Sequence, residues 1–144
     1  MCDSTRPLRI LVIDDDSAVR DAVRTLLASE GYEVSMAIHG RDALSRLRAG
    51  PRPDVILSDL VMPIMNGLQF IREIREHAQW RSIPIVVFSA SAIDGAWNAR
   101  AIGAFAILMK PVDVNCLFET LSTAASSQHL APVGAAIGST RGRA

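Results

Sequence analysis

Five short apolar runs, at residues 8–13, 32–37, 54–58, 83–89 and 104–109, alternate along this chain with segments of helical spacing. The runs are rich in Val, Ile and Leu, and several are apolar at successive positions. That is the pattern of strands buried on both faces. Between them Val19, Val23, Leu26 and Leu27 mark one helical stripe, Ala43, Leu44 and Leu47 a second, and Phe70, Ile71 and Ile74 a third. Ala96, Arg100 and Ala101 give a fourth, and Leu117 with Leu121 a fifth. Strand and helix repeated five times predict an α/β chain with a parallel sheet and helices on both faces. The punctuation agrees. Gly31 follows the first helix at a C′ position, Gly50-Pro51-Arg52-Pro53 stops the second, and Gly103 ends the fourth. Pro84 falls at a strand start, where a missing N–H is tolerated.

A chain of 144 residues is one domain by size and long enough to bury a core. Its 49% hydrophobic and 21% charged residues exclude general disorder. Fifteen basic and fifteen acidic residues leave zero net charge, which argues against DNA or an anionic membrane as partner. Cys2 and Cys116 make neither a disulfide framework nor a zinc site. Residues 1–7 lack the apolar core of a signal peptide, and no run approaches the roughly 20 residues needed to span a bilayer. A reducing cytoplasm fits these features. Residues 126–144 are mostly Ala, Gly, Ser and Pro with Arg141 and Arg143, so a flexible or loosely docked tail is expected after a domain at 8–125.

In an open parallel sheet, ligands bind beyond the carboxyl ends of the strands. The first strand ends in Asp14-Asp15-Asp16, the third in Asp59, the fourth in Ser89 and the fifth in Lys110-Pro111. Singly, each has an ordinary reading. Asp16 or Ser17 suits the N-cap of the first helix, and a lone Asp after a strand is commonly a turn residue. Together they say more. A doubly wound sheet of order 2-1-3-4-5 sets strands 1 and 3 side by side, so Asp14, Asp15 and Asp59 converge. Two carboxylates about 4 Å apart repel by roughly 4 kcal/mol at an effective dielectric of about 20. A divalent cation removes that cost, and hard oxygen ligands with open positions suit Mg²⁺. Lys110 supplies positive charge and Ser89 a hydroxyl donor for an incoming anion. This is equipment for phosphoryl transfer, with Asp59, alone across from the acidic pair, as the nucleophile that forms an aspartyl phosphate.

The ordered set Ile13-Asp14-Asp15-Asp16-Ser17, then the stretch from Pro53 through Asp59 to Pro63, then Asn66-Gly67, Val87-Phe88-Ser89-Ala90, Gly103-Ala104 and Lys110-Pro111 resembles a bacterial response-regulator receiver domain. The resemblance covers residues 8–125 and implies a flavodoxin-like fold with five helices. It implies that Asp59 accepts a phosphoryl group from a histidine kinase or phosphotransfer protein. It further implies that Asp15 ligates Mg²⁺ directly, Asp14 through water, and Val61 through its backbone carbonyl. Ser89 would hydrogen-bond the phosphoryl group and Lys110 would pair with it. Pro63 and Gly67 would shape the loop after the third strand, and the Lys110–Pro111 bond resembles the family's cis peptide. Such a protein catalyses only its own phosphorylation and dephosphorylation. Its output would be a downstream protein target docking on the face of the fourth helix, fifth strand and fifth helix. A homodimer through that face is compatible with it, and no output domain is expected after residue 125.

One position departs from the pattern. Where the family carries Tyr or Phe three residues before the lysine, this chain has Ile107. A β-branched side chain is stiff, so the switch through Ser89 and Ile107 is expected to be muted or carried elsewhere. Trp97 on the fourth helix is a candidate partner contact, with packing on the domain's own surface as the equal alternative. A phosphorylation-independent binding module is one alternative, favoured by Ile107 and opposed by the intact Asp14, Asp15, Asp59, Ser89 and Lys110. A phosphatase of the haloacid-dehalogenase type is another, since Asp14-Asp15-Asp16 fits its Asp-x-Asp pattern. Ala18 stands where that family carries Thr or Val.

Overall fold

The computed structural model describes residues 6–60, 64–89, 103–110 and 113–137, with the side chains of Ser89 and residues 128–137 outside that description. The strands are β1 (Arg9–Ile13), β2 (Glu33–Ala37), β3 (Val55–Asp59), β4 (Ile85–Ser89) and β5 (Ala106–Met109). They form one parallel sheet in the order β2-β1-β3-β4-β5, as the alternating pattern predicts. The helices are α1 (Ser17–Ser29), α2 (Gly40–Ala49), α3 (Gly67–Arg75) and α4 (Val114–Ile137). α4 is the fifth helix expected from the sequence. The expected fourth, with Trp97, lies at residues 90–102, outside the described residues.

Strand side chains alternate between two cores, because successive residues of a strand point to opposite faces. Leu11, Ile13, Ile56, Ile85 and Val87 pack with Ala43, Leu44 and Leu47 of α2 and Phe70, Ile71 and Ile74 of α3. Ile10, Val12, Val55, Leu57, Val86 and Phe88 pack with Val23 and Leu27 of α1 and Leu117 and Leu121 of α4. Burial on both faces holds for β1, β3 and β4 but not for the outer strands. β2 alternates between exposed and half-buried positions and buries only Ala37, and β5 is half-buried with Met109 exposed. Each outer strand has a neighbour on one side only, so its flank meets solvent.

Local chemistry sets where the helices begin. The Asp16 side chain accepts from the N–H groups of Ala18 and Val19 and starts α1. Asn66 and Gln69 form a reciprocal capping box at α3. His39 caps α2, its ring nitrogen accepting from the Asp42 N–H. At the other end of the chain, α4 passes residue 125, the boundary drawn from composition, and runs to Ile137. Its first turns bury Leu117, Leu121, Ala124 and Ala125 against the sheet, and alanine is the strongest helix former. Among the described residues, no helix is long and apolar enough to cross a membrane.

Parallel pairing brings the chemistry to one edge. Ile13 pairs with Ser58, so Asp14 and Asp59 follow side by side. Asp59 pairs with Phe88, and Ser89 pairs with Met109, the residue before Lys110.

Candidate functional site

Asp14 is the residue after β1, and its N–H donates to the Ala37 carbonyl at 3.2 Å, extending the ladder with β2 by one step. Its side chain is fully buried. Oδ1 accepts from the Asp16 N–H at 2.9 Å and Oδ2 from Lys110 Nζ at 3.2 Å. Asp59 closes β3 and is 8% exposed. Its Oδ1 accepts from the Leu60 N–H at 2.8 Å and lies 3.7 Å from Lys110 Nζ. Asp15, next to Asp14, is exposed. One carboxylate oxygen from each of Asp14, Asp15 and Asp59 lies within 4.8 Å of the others. The convergence expected from strand order is therefore present.

The electrostatics of this edge follow from burial. Burial holds the Asp59 carboxyl above the usual carboxylate range, and the Asp14 carboxylate pushes the same way. Lys110 and the Leu60 N–H pull against them. Lys110 is held from three sides, by Asp14, Asp59 and the Phe88 ring, whose centroid is 4.6 Å from Nζ. It is also the only lysine among the 15 basic residues of the chain. Every other basic position uses arginine, and this one uses the compact, rotatable ammonium.

The turn after β3 is shaped by close approach. A Cβ on Gly67 would sit 2.5 Å from the Asp59 carbonyl oxygen and 2.9 Å from the Leu60 Cα. Only glycine lets α3 begin that close to the Asp59 backbone, where the Gly67 N–H donates to the Leu60 carbonyl at 2.8 Å. Ile64 has φ 67° and is 70% exposed. A β-branched residue in the left-handed region is strained, and such strain gathers near functional sites.

The site residues expected from the sequence divide as follows. Asp14, Asp15, Asp59 and Lys110 come together. Ser89 is the last residue of β4, at the same edge of the sheet, with its side chain outside the described residues. Val61, Pro63 and Pro111 also lie outside them. Ile107 pairs with Val87 and packs, partly buried, against the core beneath α2 and α3. Two neighbours of the site escaped the sequence. Arg20 of α1 donates from Nη1 to the Asp14 carbonyl at 2.7 Å, and Phe88 lies under Lys110. No residue-type pattern announces the first. The uniqueness of Lys110 was a signal open to simple counting.

The donor set fits a hard divalent cation. It offers carboxylate oxygens only, with no thiolate or imidazole among them. Both Asp14 oxygens already accept from nitrogen donors, whereas Asp15 is exposed.

The response regulator receiver domain family matches residues 10–122 of this chain. Protein PilH of Pseudomonas aeruginosa is 34% identical over 116 residues, covering 79% of this chain and 94% of PilH. Response regulator MprA of Mycolicibacterium vanbaalenii is 44% identical over 84 residues, 58% of this chain, and the matched part spans 35% of MprA. Among solved structures, the chemotaxis response regulator CheY4 of Vibrio cholerae superposes with a TM-score of 0.75 at 32% identity. That match covers 83% of this chain and 99% of the other.

Proposed function

The chain belongs to the response regulator receiver domain family, and from that premise we propose that it takes a phosphoryl group from a histidine kinase or phosphotransfer protein onto Asp59 and thereby switches the binding of a downstream protein. One observation carries this reading: a single ammonium, Lys110 Nζ, stands 3.2 Å from Asp14 and 3.7 Å from Asp59, beside the exposed Asp15. Oδ1 of Asp59 is the atom engaged by Leu60 and Lys110, so Oδ2 is the attacking oxygen. It bonds to phosphorus as the donor's phosphorus–nitrogen bond breaks, and the electron pair leaves with the donor imidazole. The product is an acyl phosphate on Asp59.

Lys110 pairs with the phosphoryl oxygens, and the Ser89 hydroxyl hydrogen-bonds them. Mg²⁺, when bound, neutralises charge on the transferring group. Asp15, Asp59 and the Val61 carbonyl would hold it directly, and Asp14 through water. Phosphorylation adds about one negative charge at the edge of the sheet. The response is read on the face made by the expected fourth helix, β5 and α4.

Incubation with acetyl phosphate and Mg²⁺ is expected to label the wild-type protein, and Asp59→Asn to abolish the label. Label that persists in Asp59→Asn and disappears in Asp14→Asn would place the nucleophile on the first strand, as in the phosphatase reading, and overturn the assignment.

A further inference from the structure

Every polar group of Asp14 has a partner. Its N–H donates to Ala37, its two carboxylate oxygens accept from Asp16 and Lys110, and its carbonyl accepts from Arg20 Nη1 at 2.7 Å. That carbonyl belongs to the peptide unit joining Asp14 to Asp15. A peptide unit is planar and moves as one body, so a hydrogen bond that holds its C=O restrains the Asp15 N–H and both flanking Cα atoms with it. That restraint acts on ψ of Asp14 and φ of Asp15, two of the torsions that set how the acidic side chains stand to one another. The anchor comes from a rigid element, because Arg20 lies one turn into α1 and that helix is itself capped by Asp16.

We infer that Arg20 is a positioning residue: its guanidinium pins the Asp14–Asp15 peptide and so presents Asp15 to a divalent cation while Asp14 stays turned toward Lys110. This rests on the Mg²⁺-dependent reading above. Charge alone predicts the opposite behaviour. A guanidinium beside a cation site repels the cation, so removing it should tighten binding. If it instead orients a ligand, removing it should loosen binding. The two accounts therefore differ in sign.

The test titrates Mg²⁺ into the full-length wild-type chain and into Arg20→Met, which keeps an apolar stem without the donor, well below the melting temperature of both. Binding is read by calorimetry. Groups that orient metal ligands commonly cost about 10-fold or more in affinity when removed, and a loss of about 10-fold is expected here. In the Mg²⁺-free protein the Asp15 amide resonance should also shift, a change that lost global stability does not produce. Arg20→Lys, which keeps a cationic donor, should bind Mg²⁺ more tightly than Arg20→Met and covers the case in which the methionine variant folds poorly. Equal or tighter Mg²⁺ binding in Arg20→Met, with the Asp15 amide unmoved, would overturn the inference. Wild-type protein that binds no Mg²⁺ would instead overturn the reading on which it rests.

Discussion

Asp59 is nearly buried, faces another buried carboxylate and is offset by one lysine. Its carboxyl is held above the ordinary 3.8 by burial and by Asp14, despite Lys110 and the Leu60 N–H. A carboxyl raised in the folded state keeps its proton there after the unfolded chain has released it. Stability therefore falls as pH rises from 3.8 through the raised value and stays lowered above it. In Mg²⁺-free buffer Asp59→Asn is expected to melt at a higher temperature than wild type at neutral pH, with the gap closing below pH 3.8. Thermal denaturation across pH checks this, and a neutral-pH loss of stability in the variant would contradict it. Asp14, Asp59 and Lys110 were legible in the sequence because strand ends in a parallel sheet deliver their residues to one edge. Arg20 was not, since a side chain reaching back to a backbone carbonyl six residues earlier depends on the angle at which α1 leaves the sheet.

At the scale of elements, β1 and β3 are tied at both ends. The acidic cluster follows their carboxyl ends, and Asp54 ties the other. Arg6 contacts both Asp54 carboxylate oxygens, at 3.1 and 3.2 Å, and the Arg9 N–H donates to Oδ2 at 2.8 Å. Burial pushes the Asp54 carboxyl up, but Arg6 and the Arg9 N–H outweigh it and hold it below the usual range. A depressed carboxyl stabilises the fold above its unfolded pKa, and that stability is lost as pH falls through the folded value. Asp54→Asn should cost about 1.5 kcal/mol at neutral pH, the scale of hydrogen bonds to a charged group, and less in acid below pH 3.8. Urea denaturation at the two pH values decides it, and a cost that does not shrink in acid would refute this account of the tie. Strand positions were readable from apolar runs. The edge character of β5 was not, because Ala106–Met109 is wholly apolar and only topology exposes it, whereas Glu33 and Ser35 already mark β2 as half-exposed. The cap of α2 was hidden too, since His39 is not among the usual N-cap residues. The extent of α4 beyond residue 125 was not read, because a run of Ala, Ser and Gly with Pro132 in it reads equally as linker.

Across the whole molecule, zero net charge conceals a local imbalance. Asp14, Asp15, Asp16 and Asp59 gather at one edge of the sheet with Lys110 among them. A ligand that binds the folded state alone stabilises it in proportion to the logarithm of its concentration over Kd, by about 2.7 kcal/mol at 100 times Kd. Mg²⁺ at that excess is expected to raise the melting temperature of wild type above that in NaCl of matched ionic strength. Asp15→Asn should respond much less. An equal response in both proteins would mean general screening rather than a site.

Asp59 is the residue proposed to carry the phosphoryl group. The most direct measurement treats the protein with acetyl phosphate and Mg²⁺, reduces the acyl phosphate with borohydride to leave homoserine at the modified aspartate, and locates it by peptide mass spectrometry. Homoserine is expected at position 59 alone. Homoserine at position 14 or 15, or none anywhere in the Mg²⁺-treated protein, would contradict it.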